Sequence, residues 1–307
     1  MRKDSMQSLL NIGGAQIRVE GTMLRIARPD ADKYQQLEDP EYVLTGLRRC
    51  RTRIDLFTFM QIMPLTSPQH SYPTEWDNLA VLPVSTFDHW WNHQIRSFPR
   101  NRARQAEKRG VVIREVQLDD NLVHGIWEVY NECPVRQGRR FRHYGKDIET
   151  VRREESTYLD SSVFIGAFFA ENLIGFAKLT WDQTRTQANF MNILSMVQHK
   201  DKAPTNALIA QAVRSCAERN IRYLVYQNFS YGNKPPDSMT NFKEVNGFSR
   251  VEVPRYYVPL TSVGRLALRF GLHHRFLDRL PPSLLAQMQH LRRVWHNGRF
   301  EVAVKAS

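Results

Sequence analysis

The sequence predicts a mixed α/β (α+β) protein: a mixed sheet flanked by helices, with a smaller mixed α/β lobe before it and a helical extension after it. Three observations carry this. Between about residues 100 and 260 the hydrophobic period switches between 2 and 3.6 in the order β-α-α-β-β-β-α-β-α-β. Residues 1–98 hold short strand-like runs punctuated by turn residues, and residues 263–307 are basic with helical apolar spacing. The expected division is therefore 1–98, 99–262 and 263–307.

The N-terminal part reads AQIRVEGTMLRIARP, two short strands around Glu20-Gly21, and RIDLFTFMQIMP, a buried strand ending at Pro64. Residues 64–75 form a Pro/Ser-containing connection, and Trp76, Phe87, Trp90 and Trp91 are expected to be packing residues. RSFPRNRARQAEKRG then reads as a basic helix closed by Gly110. VVIREVQ alternates as a strand, LDDNLVHGIWEVYNEC and IETVRREESTYLD are helical, and a basic loop joins them. Three strands follow, SVFIGAFFA, NLIGFAKLTW and TQANFMNILSM, the first two joined at Glu171-Asn172. After the loop VQHKDKAP, TNALIAQAVRSCAERN is an amphipathic helix with Thr205 as its expected N-cap. IRYLVYQNF is a strand, DSMTNFKEVNGF a short helix and SRVEVPRYYVPL a last strand.

Composition narrows the class of function. Hydrophobic residues make up 42% and charged residues 24%, the balance of an ordinary globular protein. No run reaches the roughly 18 apolar residues of a membrane helix, and the first residues do not read as a signal peptide. A cytoplasmic protein, with peripheral contact at the inner face of a membrane as an option, is expected. Cys50, Cys133 and Cys216 lack CxxC spacing, so neither a disulfide framework nor a zinc site is indicated, and no metal is expected. The net charge of +12 is concentrated: residues 96–114 carry +6 and residues 261–307 carry another +6. Arg136, Arg139, Arg140, Arg142 and Lys146 form a third cluster. Such surfaces attract phosphates of nucleotides, RNA or lipid headgroups.

NRARQAEKRGV, PTNALIAQAVRSCAERNIRYLVYQ and FKEVNGF followed by VEVPRYYVPLT together resemble the GNAT acyltransferase superfamily in its Fem-like branch, found in bacterial envelope and polysaccharide loci. The resemblance covers roughly half of the chain. It implies a three-strand meander, then a helix whose N-terminus faces the acyl donor. Acetyl-CoA-using members present a Gly-rich loop before that helix, so that backbone N–H groups approach the pyrophosphate. Here the stretch Gln198–Asn206 has no glycine, and Pro204 removes a donor. Fem-like enzymes share that loss and generally take the acyl group from aminoacyl-tRNA. Where many GNAT enzymes place a Tyr before the final Gly-Phe, this chain has Lys243.

Acyl transfer needs a donor site, an oxyanion stabiliser and a path for the nucleophile's proton. The resemblance assigns donor binding to Lys200, Lys202, Thr205 and Asn206. Lys243, Asn192 and Tyr257 are the catalytic candidates, Lys243 for charge stabilisation. Arg142, His143 and Tyr144, with Gln227, Asn228, Tyr231 and Arg255, are expected to bind an anionic acceptor. Strand alternation allows only one of Tyr256 and Tyr257 to face the cleft.

These residues suggest N- or O-acyl or aminoacyl transfer to an envelope or polysaccharide precursor, with aminoacyl-tRNA or another acyl carrier as donor. Two other readings fit the same sequence: an acetyl-CoA-dependent acetyltransferase with a glycine-free loop, and a non-catalytic basic adaptor for RNA or an anionic membrane.

Overall fold

The computed structural model describes residues 8–136, 139–230 and 238–274. In chain order the strands are β1 (Ser8–Ile12), β2 (Ala15–Glu20), β3 (Ile26–Pro29), β4 (Leu56–Met60), β5 (Thr74–Pro83), β6 (Val112–Val116), β7 (Val135–Arg136), β8 (Arg139–Arg140), β9 (Ser162–Phe169), β10 (Asn172–Trp181), β11 (Gln187–Ser195), β12 (Tyr223–Asn228) and β13 (Ser249–Pro259). The helices are α1 (Pro40–Arg49), α2 (Phe87–His89, continued by a π-turn to Gln94), α3 (Ser97–Lys108), α4 (Asp120–Asn131), α5 (Ile148–Glu155), α6 (Pro204–Glu218), α7 (Ser238–Val245) and α8 (Ser262–Arg269). Among the described residues no helix is long and apolar enough to cross a membrane.

Eleven strands form one sheet in the order β1-β2-β3-β4-β13-β5-β12-β11-β10-β9-β6, and β7-β8 is a separate hairpin. The expected meander is β9-β10-β11, antiparallel throughout. Its first turn is Ala170-Glu171, one residue earlier than expected, since Phe169 pairs with Asn172 and both turn residues have positive φ. β5 lies outside the strands read from the sequence. It inserts between β12 and β13, antiparallel to both. β13 extends further and pairs with β4 as well. The sheet therefore runs without interruption from the N-terminal strands to the meander.

Strand alternation sends successive side chains to two different cores. Ile165, Ala167, Ala177 and Leu179 join Leu208, Ile209, Ala212 and Val213 of α6 on one face. Phe164, Leu173 and Phe176 join Leu122, Val123, Ile126 and Tyr130 of α4 on the other. Truncating a filled position such as Leu208 to Ala costs about 2–5 kcal/mol. Trp90, fully buried with its indole N–H on the Asn246 carbonyl, and Trp91 and Phe87 at its side bear out the packing role of this aromatic group. Trp76 does not follow: it is 53% exposed on β5.

Candidate active site

β11 and β12 are parallel, and they pair only over Gln187–Asn189 and Tyr223–Val225 before separating. On the far side of β11, Lys178 of β10 pairs with Asn192 and Leu179 with Phe190, so Met191 is an extra residue in a β-bulge. A bulge re-aims the backbone and side chains around it, and bulges recur beside active sites. Beyond Val225, β12 is also irregular. Its pairing to β5 skips to Asn228, and Gln227 adopts φ +49. Two irregular strands thus flank one parting in the sheet.

Asn192, just past the bulge, reaches Glu155 at the end of α5: its Nδ2 donates to Oε1 at 2.9 Å. The Tyr130 hydroxyl donates to the same oxygen at 2.8 Å. Glu155 is buried, and its Oε2 has no hydrogen-bond partner. Burial raises the Glu155 pKa above the ordinary carboxylate value despite these hydrogen bonds. Lys178 is also buried; its ammonium donates to the carbonyls of Glu155 at 2.7 Å and Thr157 at 2.6 Å. Burial pushes its pKa down to about 8. Tyr130 in turn stacks on His143, ring centroids 4.2 Å apart. His143 is buried, and burial with Lys146 and Arg142 lowers its pKa to about 3, so it is neutral at physiological pH. Arg142 Nε donates to His143 Nε2 at 2.7 Å, while Tyr144 is exposed. The fold therefore links Asn192 and His143 through Tyr130 and Glu155.

A second polar network lies toward β13. Arg255 is buried and pairs with Asp32 at 2.8 Å and Asp77 at 2.6 Å. Burial opposes its charge, but Asp32 and Asp77 outweigh burial and raise the pKa. Lys33 Nζ donates to Asn228 Oδ1 at 3.0 Å; burial, then Arg255, lowers its pKa. Lys243 is fully buried and donates to the Asn228 carbonyl and, at 3.5 Å, to that of Phe229, bracing the end of β12. Tyr257 sits on β13 opposite Thr58, and burial lifts its hydroxyl to about 12. Three strand spacings separate β13 from β11, about 14 Å across the sheet. Tyr257 and Asn192 are therefore not brought together. Tyr231 lies outside the described residues.

The segment carrying Asp32 and Lys33 connects the two networks. Next to Lys33, Tyr34 meets Tyr158 edge-on at 5.8 Å, and its phenol feels the charges of Arg142 and Glu155. Tyr158 holds the left-handed conformation, φ +57, an uncommon one for a non-glycine residue.

The donor-side residues differ from expectation in two respects. Ala203, at φ +55, is the N-cap of α6 and Pro204 its first residue, so Thr205 lies inside the helix. Its hydroxyl meets Ser195 Oγ at 2.7 Å. The preceding Val197–Lys202 stretch is a 3₁₀ turn rather than an open loop. The N–H groups of Val197 and Gln198 are taken by the Glu132 carboxylate at 2.9 and 2.8 Å. Arg102 and Arg109 of the basic helix hold the carbonyls of Lys200 and Asp201. Lys200 is exposed, and Lys202 lies 4.6 Å over the Phe169 ring. Asn206 donates its backbone N–H to Ala203.

Glu155, Lys178, Tyr130, Asp32, Lys33, Asp77 and Glu132 were not singled out by sequence reasoning. Only Lys178 carried a readable signal, a lone cation inside the apolar strand NLIGFAKLTW. The others become partners only through contacts between distant segments.

A sheet of this order, with a meander, a parting beside a bulge and a helix starting at the parting, is the fold shared by GNAT-type and Fem-like proteins. Solved structures share the fold. The C-terminal DUF2156 domain of a protein assigned as a lysylphosphatidylglycerol synthetase from Agrobacterium fabrum superposes with a TM-score of 0.57 at 13% identity, over 87% of this chain and 88% of that one. L-PGS from Bacillus licheniformis gives 0.58 at 10% identity, over 85% and 87%. FemX gives 0.53 at 10% identity, over 81% and 88%. No protein-family model matches the chain, and no curated protein matches it by sequence.

Proposed function

We propose that the chain is an acyltransferase that moves an aminoacyl or other acyl group from an ester-activated carrier to an amine or hydroxyl of an anionic envelope precursor. The observation that carries this reading is the buried Glu155 carboxyl bonded to Asn192 at the bulge beside the β11–β12 parting. Its raised pKa makes it a stronger base than an exposed carboxylate. In this reading Glu155 takes the proton of the attacking amine or hydroxyl as the new acyl bond forms. The carrier's ester C–O bond breaks, and its oxygen leaves as a hydroxyl with a proton from solvent. Asn192 and Tyr130 orient the base. Lys243 contributes by fixing Asn228, and the exposed Arg142 supplies positive charge toward the acceptor.

The donor preference rests on Glu132. Its carboxylate already accepts from the two N–H groups at the turn before α6, so they are not open to a pyrophosphate. An aminoacyl-tRNA or another carrier is therefore preferred to acetyl-CoA. A similar fold is carried by the C-terminal domain of a protein assigned as a lysylphosphatidylglycerol synthetase.

Contact with an anionic bilayer belongs to the same reading. α8 turns its small residues Gly264 and Ala267 inward, while Val263, Leu266 and Phe270 point outward at 46%, 54% and 63% exposure. Arg265 and Arg269 flank this apolar strip, the arrangement of an interfacial helix.

The test is transfer of labelled amino acid from charged tRNA to a lipid or precursor extract, run beside calorimetry with acetyl-CoA. Transfer from charged tRNA with no saturable acetyl-CoA binding is expected. Acetyl-CoA binding below about 1 mM, with no transfer from tRNA, overturns the donor assignment. Absence of transfer from either donor to any extract overturns the enzyme reading.

A further inference from the structure

Glu75, His273 and His274 bring three ligand atoms within 4.8 Å of one another, although Glu75 lies on β5 and the histidines follow α8. Two backbone features build the cluster. α8 ends in a Schellman turn: Leu272 N–H bonds the Ala267 carbonyl at 2.7 Å, Gly271 N–H bonds Leu268 at 3.1 Å, and Gly271 takes φ +63. That turn carries the chain back over the sheet. His273 packs on Tyr257 with centroids 4.6 Å apart, and its side chain is only 2% exposed. His274 lies 4.0 Å from it, ring to ring.

Both imidazole Nε2 atoms converge on one oxygen, Glu75 Oε1, at 2.9 and 3.1 Å. A tetrahedral zinc with bonds of about 2.1 Å spaces its ligand atoms about 3.4 Å apart. The two N–O spacings reach that with shifts of a few tenths of an ångström, and all three ligand atoms lie within 4.8 Å of one another. His274 and Glu75 are part-exposed, which leaves a path for an ion and room for water as a further ligand.

We propose that Glu75, His273 and His274 form a divalent metal site of the zinc class, clasping the end of α8 to β5. Two imidazoles and one carboxylate are a borderline donor set suited to zinc over calcium or magnesium. Bound metal would fix the start of the C-terminal segment against the sheet. The site does not depend on the acyltransferase reading, and its test does not use activity.

The test uses the full chain, free of any histidine tag and stripped with a chelator. Calorimetry with zinc chloride is expected to show one equivalent bound, and the thermal midpoint should rise with zinc. His274→Gln, at the half-exposed position, should weaken binding at least about 10-fold and abolish the thermal shift, as should Glu75→Gln. His124→Ala, on α4 and away from the cluster, should bind as the parent does. Co²⁺ in place of zinc should give visible d–d bands that His274→Gln loses. Failure of the parent to bind stoichiometrically overturns the proposal. So does retention of zinc affinity in both folded variants, with folding checked by far-UV circular dichroism.

Discussion

Asn192 donates a 2.9 Å hydrogen bond to the Glu155 carboxylate, joining the bulged strand of the meander to the end of α5. The bond matters because Glu155 is buried with one oxygen unpartnered. Burial raises its proton affinity above that of a surface carboxylate.

Glu155→Gln preserves the acceptor oxygen for Tyr130 and Asn192 but cannot take a proton. The turnover rate should fall by about 10²–10⁴-fold with little change in the thermal midpoint. In the parent, kcat/KM should decline as pH falls through the raised Glu155 pKa, because the base becomes protonated. The variant should lose that acid limb. A parent-like profile in the variant would remove Glu155 from the mechanism.

Lys178 links stability to pH in a direction that can be checked. Its folded pKa is about 8 against an ordinary 10.5. Between those values the unfolded chain holds a proton that the folded chain has released, so the unfolded state binds more protons. Stability contributed by this group therefore rises with pH across that window and is absent below it. Urea titrations from about pH 7 to about pH 10 should show a smaller upward slope in Lys178→Met than in the parent.

Arg255→Ala should destabilise the protein by about 3–5 kcal/mol, because Asp32 and Asp77 would lose their shared guanidinium. Asp77→Asn should cost less, since Arg255 keeps Asp32. Chemical denaturation at neutral pH compares the two, and equal losses would show that the pairs act independently of this network.

The outward face of α8 predicts binding to anionic vesicles. Leu266→Asp with Phe270→Asp should reduce co-sedimentation with such vesicles while leaving the thermal midpoint near the parent value, as both residues are exposed. Gly264→Ala should act differently. A Cβ there would lie 1.8 Å from the Asp55 carbonyl oxygen, so the helix must shift and stability should drop. If the double aspartate variant still binds the vesicles, α8 is not the membrane-facing element.

Local patterning determined a good deal of this protein. Alternation in SVFIGAFFA, NLIGFAKLTW and TQANFMNILSM marked the meander, and helical spacing in TNALIAQAVRSCAERN marked α6, because these periods are set by neighbours within a few residues. The glycine-free stretch before Pro204 was equally legible, and so was Lys243, although only as a residue type. Tertiary structure alone decided that β5 enters between β12 and β13, where Thr74 pairs with Tyr256, 182 residues away in sequence. It also decided that Glu155 meets Asn192, that Asp32 and Asp77 share Arg255, and that Glu75 meets two histidines beyond α8. Each of these is a contact between side chains of ordinary local pattern. Their burial and charge coupling arise only when the sheet closes, so a single sequence carries the elements while the site chemistry waits for the fold.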